Sequence, residues 1–237
     1  RWADPNVLVN AGVEQVTELI VGASNNHQGA ERAAAWIAAA EAALELYATN
    51  PAIAFADLAA FVQAVRKAVR IPVAVKLSPY YTSMGHFASK LDEAGADGLV
   101  LFNRFYQPDI DVEELQVRRQ IHLSSSAELP LRLTWLAMLS PKVKASLGCT
   151  GGVHTVTDVV QSVMAGAHAI QLVSSLLKRG PSHLATLRQE LAQWLEEHEY
   201  HSLRQAQGSM NLEACPDPQV YSRANYMLVL QSWRDSH

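Results

Sequence analysis

Cysteine is scarce in this chain of 237 residues: Cys149 and Cys215 are the only two. Two thiols cannot build a disulfide framework, so the sequence reads as that of a protein kept in a reducing cytoplasm. Long hydrophobic runs are lacking as well. No stretch reaches the roughly 18 apolar residues that a membrane span requires, and the opening Arg1-Trp-Ala-Asp-Pro-Asn6 has no signal-peptide pattern, so no membrane partner is expected. Clusters of Lys and Arg do not occur, and a formal charge of -4 with a pI near 6.1 argues against a nucleic-acid partner. The nine histidines are scattered, and none has a neighbour at metal-ligand spacing, so no metal is expected. What is present is an ordinary globular mixture, 49% hydrophobic and 18% charged, long enough to bury the core of one large α/β domain or two small ones.

Apolar runs of strand length alternate with helical patterns from Leu19 onward. Leu19–Ser24 reads as a strand, followed by the polar loop Asn25-Asn-His-Gln-Gly29 and an Ala-rich helix to about residue 42. Ala43–Tyr47 is the next strand, and a helix from about 54 to 69 carries Leu58, Phe61, Val62, Val65 and Val69 on one core-facing stripe. In the strand Ile71–Ser78, alternation puts Ala74, Lys76 and Ser78 on one face and Val73, Val75 and Leu77 on the other. A helix over 84–94 leads into Leu99–Asn103, a strand with a polar end. The junction Ala94-Gly-Ala-Asp-Gly-Leu-Val-Leu101 is repeated as Ala165-Gly-Ala-His-Ala-Ile-Gln-Leu172. Such recurrence favours parallel, repeated βα units. Arg104–Ser126 reads as a long irregular connection of active-site-flap length, and helices are expected over 131–139 and 184–198.

The clearest pattern runs from Val143 to Ser175. It reads as a buried strand, the glycine turn Thr150-Gly-Gly-Val153, an amphipathic helix, and a second buried strand Ala169-Ile-Gln-Leu-Val-Ser-Ser175. Gly151 and Gly152 let backbone N–H groups converge, and the following helix offers its positive end to the same point. Such a turn suits an anion, above all a phosphate, although glycine is common in any strand-to-helix turn. Ser174 and Ser175 then end a neighbouring strand, and paired phosphate loops after the last two strands characterise the eight-stranded βα barrel. The expected fold is therefore α/β, a TIM (βα)8 barrel with about strands three to eight present and the first two lacking, or else an open sheet. It forms a single domain over 1–237 with a C-terminal tail at 200–237.

Sites in parallel α/β proteins lie at the C-terminal ends of the strands. Those ends carry Asn26, Lys76, Asn103, Gly151, Gly152, Ser174 and Ser175. A lysine in an apolar strand is costly unless paired, so Lys76 either meets Glu45 in an ion pair or faces a bound anionic or electron-accepting group. His154, directly after the glycine turn, reads as helix-start chemistry rather than a base.

Several stretches together resemble the dihydroorotate dehydrogenases, FMN enzymes on a βα barrel, and in particular a bacterial dihydroorotate dehydrogenase-like branch. They are Val73-Ala-Val-Lys-Leu-Ser-Pro79, Ala94-Gly-Ala-Asp-Gly98 through Asn103, Leu101-Phe-Asn-Arg-Phe-Tyr-Gln-Pro-Asp109, Thr150-Gly-Gly-Val-His-Thr155 and Ala169–Ser175, with Arg223-Ala-Asn-Tyr-Met227 in the tail. The resemblance implies a flavin-dependent dehydrogenase acting on CH–CH bonds, with hydride transfer from a dihydropyrimidine-like small molecule to FMN in pyrimidine biosynthesis, and it admits a homodimer. Carried over residue by residue, Lys76 would contact the flavin ring, and Asn103 would meet both flavin and substrate. Gly151, Gly152, Ser174 and Ser175 would hold the FMN phosphate, and Asn26 would lie near the ring. Where the family carries a cysteine or serine base, this chain reads Tyr47-Ala-Thr-Asn50. A phosphate-binding barrel aldolase or isomerase and a non-catalytic FMN-binding relative therefore stand as alternatives.

Overall fold

The structure, a computed structural model, describes residues 58–104, 107–118 and 120–221, together with 34, 37, 38, 41 and 230. The strands expected at Leu19–Ser24 and Ala43–Tyr47, and Asn26 and Glu45 with them, lie outside the described residues. The chain divides into two compact units, one of residues 1–73 and 90–96 and the other of 74–89 and 97–237. In the first, helix α1 (Leu58–Ala68) turns its expected stripe inward, with Val62 buried, and Arg66 of its last turn donates to the carbonyl of Ile71 at 2.9 Å.

The second unit is built on four parallel strands, β1 (Ala74–Leu77), β2 (Gly98–Leu101), β5 (Ser146–Thr150) and β6 (Ala169–Gln171), in the order β1-β2-β5-β6. The centre is buried on both faces, as a parallel strand covered by helices requires: Leu99, Leu101, Leu147 and Cys149 are fully buried on one, and Val100 is buried on the other. Helices α3 (Leu129–Leu139) and α4 (Val156–Ala165) pack on this sheet and on each other. Pro130 sits in the first turn of α3, where its missing N–H costs nothing. The repeated helix-to-strand junction is real. Gly95 and Gly166 both take positive φ, +94° and +118°, at the ends of α2 (Met84–Glu93) and α4. Beyond β6 come α5 (Ser174–Arg179), α6 (His183–Glu197) and the short α7 (Leu203–Ala206). No helix among the described residues is long and apolar enough to cross a membrane.

Three expectations need correction. The run Ala169–Ser175 is not one buried strand: β6 stops at Gln171 with Ala169 and Gln171 exposed, and Ser174 and Ser175 open a helix. Among the described residues the strand pairs with β5 alone. The connection 104–126 is not irregular either, because Asp109–Asp111 (β3) and Gln116–Arg118 (β4) form an antiparallel ribbon. Asp111 closes it, accepting from Glu113 N–H, Glu114 N–H and the Arg118 guanidinium, a local bond set that alternation alone does not announce. Lastly, the strand expected over Ile71–Ser78 is shorter, Ala74–Leu77; the parallel strands among the described residues form a sheet of four.

Candidate functional site

Because β1, β2, β5 and β6 run parallel, the segments that follow them gather at one edge of the sheet. Asn103 N–H crosses from the segment after β2 to the carbonyl of Leu77 at the end of β1, 2.6 Å away. A cavity of about 150 Å³ opens at this edge. Its lining combines Lys76, Gly151 and Ser174, three of the residues the sequence singles out, with Ser124, Arg104 and Arg132. Among the described residues three cations line it and no carboxylate does, while Glu128, in the lining of a neighbouring cavity, pairs with two of them, Arg104 at 3.1 Å and Arg132 at 3.9 Å.

Lys76 is exposed, not buried as an apolar strand suggests, and shares its face of β1 with exposed Ala74. No ion pair among the described residues involves it. Asn103 lines a neighbouring cavity of about 380 Å³, which meets the first through Phe102, Arg104 and Arg132. Ser174 Oγ accepts from Ser124 N–H at 3.1 Å, and the buried Ser175 Oγ has no hydrogen-bond partner.

The glycine turn has a different local logic from the one its sequence suggests. Gly151 and Gly152 take φ of +80° and +85°. A Cβ on Gly152 would stand 2.8 Å from Leu129 N, and one on Gly151 would stand 3.0 Å from Arg132 Nη2. Both glycines are thus required by the close approach of α3. Nor is the Gly152 N–H free, since it donates to Ser124 Oγ at 3.4 Å. The positive end of α4 is also occupied. Thr155 and Asp158 form a reciprocal capping box, and Asp158 Oδ2 accepts from His154 N–H, Thr155 N–H and Ser126 Oγ at 2.7–2.8 Å. Burial would raise the Asp158 pKa, but the hydrogen bonds from Ser126, His154 and Thr155 prevail and hold it below the ordinary carboxylate value.

Arg132 and Ser124 are the members that sequence reasoning missed. Arg132 is buried beneath the turn, donating Nε to Thr150 O at 2.7 Å and Nη1 to Glu128 O at 2.6 Å. Burial pulls its pKa below the usual guanidinium value, with Glu128 opposing. A lone arginine in the apolar run Leu129-Pro-Leu-Arg-Leu133 was the available signal. Ser124 carried none, lying in a run of three serines. The buried His154 ring approaches Ser124 Oγ through Nε2 at 3.2 Å, while its carbonyl accepts from Arg179, consistent with a helix-start role. Cys149, in the same strand as the turn, is buried, and burial pushes its thiol pKa up, so it is no nucleophile.

A larger apolar cavity of about 880 Å³ lies among α4, β6, α6 and α7, walled by residues such as Val163, Ile170, Leu184 and Leu191. It contains none of the residues the sequence singles out.

These features define a parallel α/β protein with a cationic cavity at the C-terminal edge of its sheet. Comparison with known proteins makes the assignment specific. Residues 47–195 match the dihydroorotate dehydrogenase family model, and the chain belongs to that family. It is 33% identical over 156 residues to the catalytic subunit of dihydroorotate dehydrogenase B (NAD(+)) from Pelobacter propionicus, covering 65% of this chain and 50% of that one. With the corresponding subunit from Bacillus mycoides it shares 30% identity over 172 residues, 71% of this chain and 54% of the relative. The chain thus spans about half the length of the curated relatives it matches. In fold it is similar to a ligand-free DHODH from Eimeria tenella, with a TM-score of 0.54 at 20% identity over 64% of this chain and 48% of that one.

Proposed function

We propose that this chain carries the phosphate end and part of the ring end of an FMN site, and that it serves a dehydrogenase of the dihydroorotate dehydrogenase type. The observation that carries the reading is the cavity itself, where Lys76, Gly151 and Ser174 meet with Arg104 and Arg132. A dianionic phosphate is favoured by such a surface, and the hydroxyl of Ser174 supplies a polar group of the right kind. The cavity is smaller than the roughly 300 Å³ at which pockets for drug-sized ligands begin, so it fits a portion of the cofactor rather than the whole. Asn103 and the adjoining cavity of about 380 Å³ extend the space. The likeness to DHODH structures supports reading the four parallel strands as an arc of a βα barrel.

Bound FMN would supply the hydride-accepting centre for a dihydropyrimidine-like substrate. The chain's own contribution is binding and electrostatics. Lys76 would hold a positive charge where negative charge grows during reduction, and Asn103 would offer an amide to orient the substrate. Purified protein is expected to take up FMN and turn yellow, with Lys76→Ala shifting the flavin absorption and lowering affinity by about tenfold, the scale of one charge-assisted contact. A colourless protein that takes up no FMN would overturn the reading. FMN uptake without turnover on any of a panel of dihydropyrimidines would instead assign a non-catalytic flavin-binding relative.

A further inference from the structure

We infer that Ser124 is a positioning residue for the phosphate end of the proposed flavin site, locking the turn after β5 and the start of α5 together from a third loop. The inference rests on the flavin reading above. Ser124 is 2% exposed and uses every polar group it has. Its N–H donates to Ser174 Oγ at 3.1 Å, its carbonyl accepts from Lys178 Nζ at 2.8 Å, and its hydroxyl meets Gly152 N–H at 3.4 Å and His154 Nε2 at 3.2 Å. One residue between β4 and α3 therefore ties Gly152, between the cavity-lining Gly151 and Val153, to Ser174, which also lines the cavity, and to Lys178.

The hydroxyl has one proton and two lone pairs. Gly152 N–H donates to it, and the His154 ring meets it through Nε2, donor or acceptor according to the tautomer. Burial, Lys178 and Arg179 lower the pKa of that imidazole, against Asp158 and Glu128. Ser124 thus acts through its neighbours. Removing the hydroxyl frees Gly152 N–H and releases the turn from Ser174, so a phosphate should feel the change while the rest of a flavin does not.

The test compares FMN with riboflavin, which lacks the phosphate, by quenching of flavin fluorescence on the full chain. Ser124→Ala is expected to weaken FMN about tenfold and riboflavin less than twofold, with Ser124→Thr, which keeps the hydroxyl, restoring most of the FMN preference. An unchanged FMN-to-riboflavin ratio in Ser124→Ala, equal losses for both flavins, or a Thr variant as impaired as the Ala variant would overturn the inference while leaving the flavin reading standing. Wild-type protein that binds neither flavin would overturn both. Thermal unfolding without flavin establishes that each variant is folded, and if Ser124→Ala is not, Ser124→Cys decides by the same ratio.

Discussion

The starts of α4 and α5 stand side by side in function yet are finished in opposite ways. At α4 the protein supplies its own anion: the Asp158 carboxylate, Thr155 and Ser126 satisfy the helix start completely. At α5 the capping position is Val173, which is exposed, gives no side-chain cap and lines the cationic cavity. The glycine turn therefore leads into a helix whose start is met by the protein's own carboxylate, while Ser174 at the start of α5 lines the cavity together with Gly151. Glycines mark where backbone must pass close to backbone, while a ligand site is marked by what the protein leaves unmatched.

The comparison breaks first at Asp158. Its replacement by alanine removes a cap and leaves two buried N–H groups without their carboxylate, a loss of about 3 kcal/mol in urea unfolding. A loss below about 1 kcal/mol would mean that α4 does not depend on its internal anion, and that its positive end is as open as that of α5.

The second change makes α5 resemble α4. Val173→Asp places a carboxylate at the cavity and is expected to weaken FMN by about tenfold or more, near 1.4 kcal/mol, with unfolding stability unchanged or slightly raised. Val173→Asn, which brings polarity without charge, should lose much less. Equal losses in the two variants would show that shape, not charge, governs the cavity.

Much of the frame was legible in sequence because it rests on local rules. The stripe of α1, the four parallel strands and the Gly95 and Gly166 helix ends follow from periodicity and from conformations that favour glycine. The candidate site was legible in part. Lys76, Gly151 and Ser174 were found at strand ends and do line one cavity, whereas Asn103 lines its neighbour. Arg132 and Ser124 were not found, because their roles come from contacts with residues 18 to 54 positions away. The end of β6 was misjudged for the opposite reason. Ala169–Ser175 has strand composition, but the chain leaves the sheet two residues before the serines and enters a helix.

The smallest effect lies where the two helix starts meet, at His154. Asp158 of α4 holds its N–H, Arg179 of α5 and His183 of α6 approach its carbonyl, and Lys178 and Glu128 are the remaining charges that act on the ring. Burial, aided by Lys178, lowers the imidazole pKa from its ordinary 6.5. In the unfolded chain the ring protonates near 6.5, before the folded one does, so the unfolded state binds more protons in that interval. Stability is therefore fully present above about pH 6.5 and falls as the pH drops from there toward the folded value, where the decline levels off. Asp158 acts in a separate window, its stabilisation being present above its ordinary 3.8 and lost as the pH falls below it. Unfolding free energies at pH about 7.5 and about 5 should converge in His154→Gln, whose side-chain amide can still accept from Ser124 but does not titrate. An acid slope that survives the substitution unchanged would mean that His154 binds its proton alike in the folded and unfolded chain and that another group carries the slope.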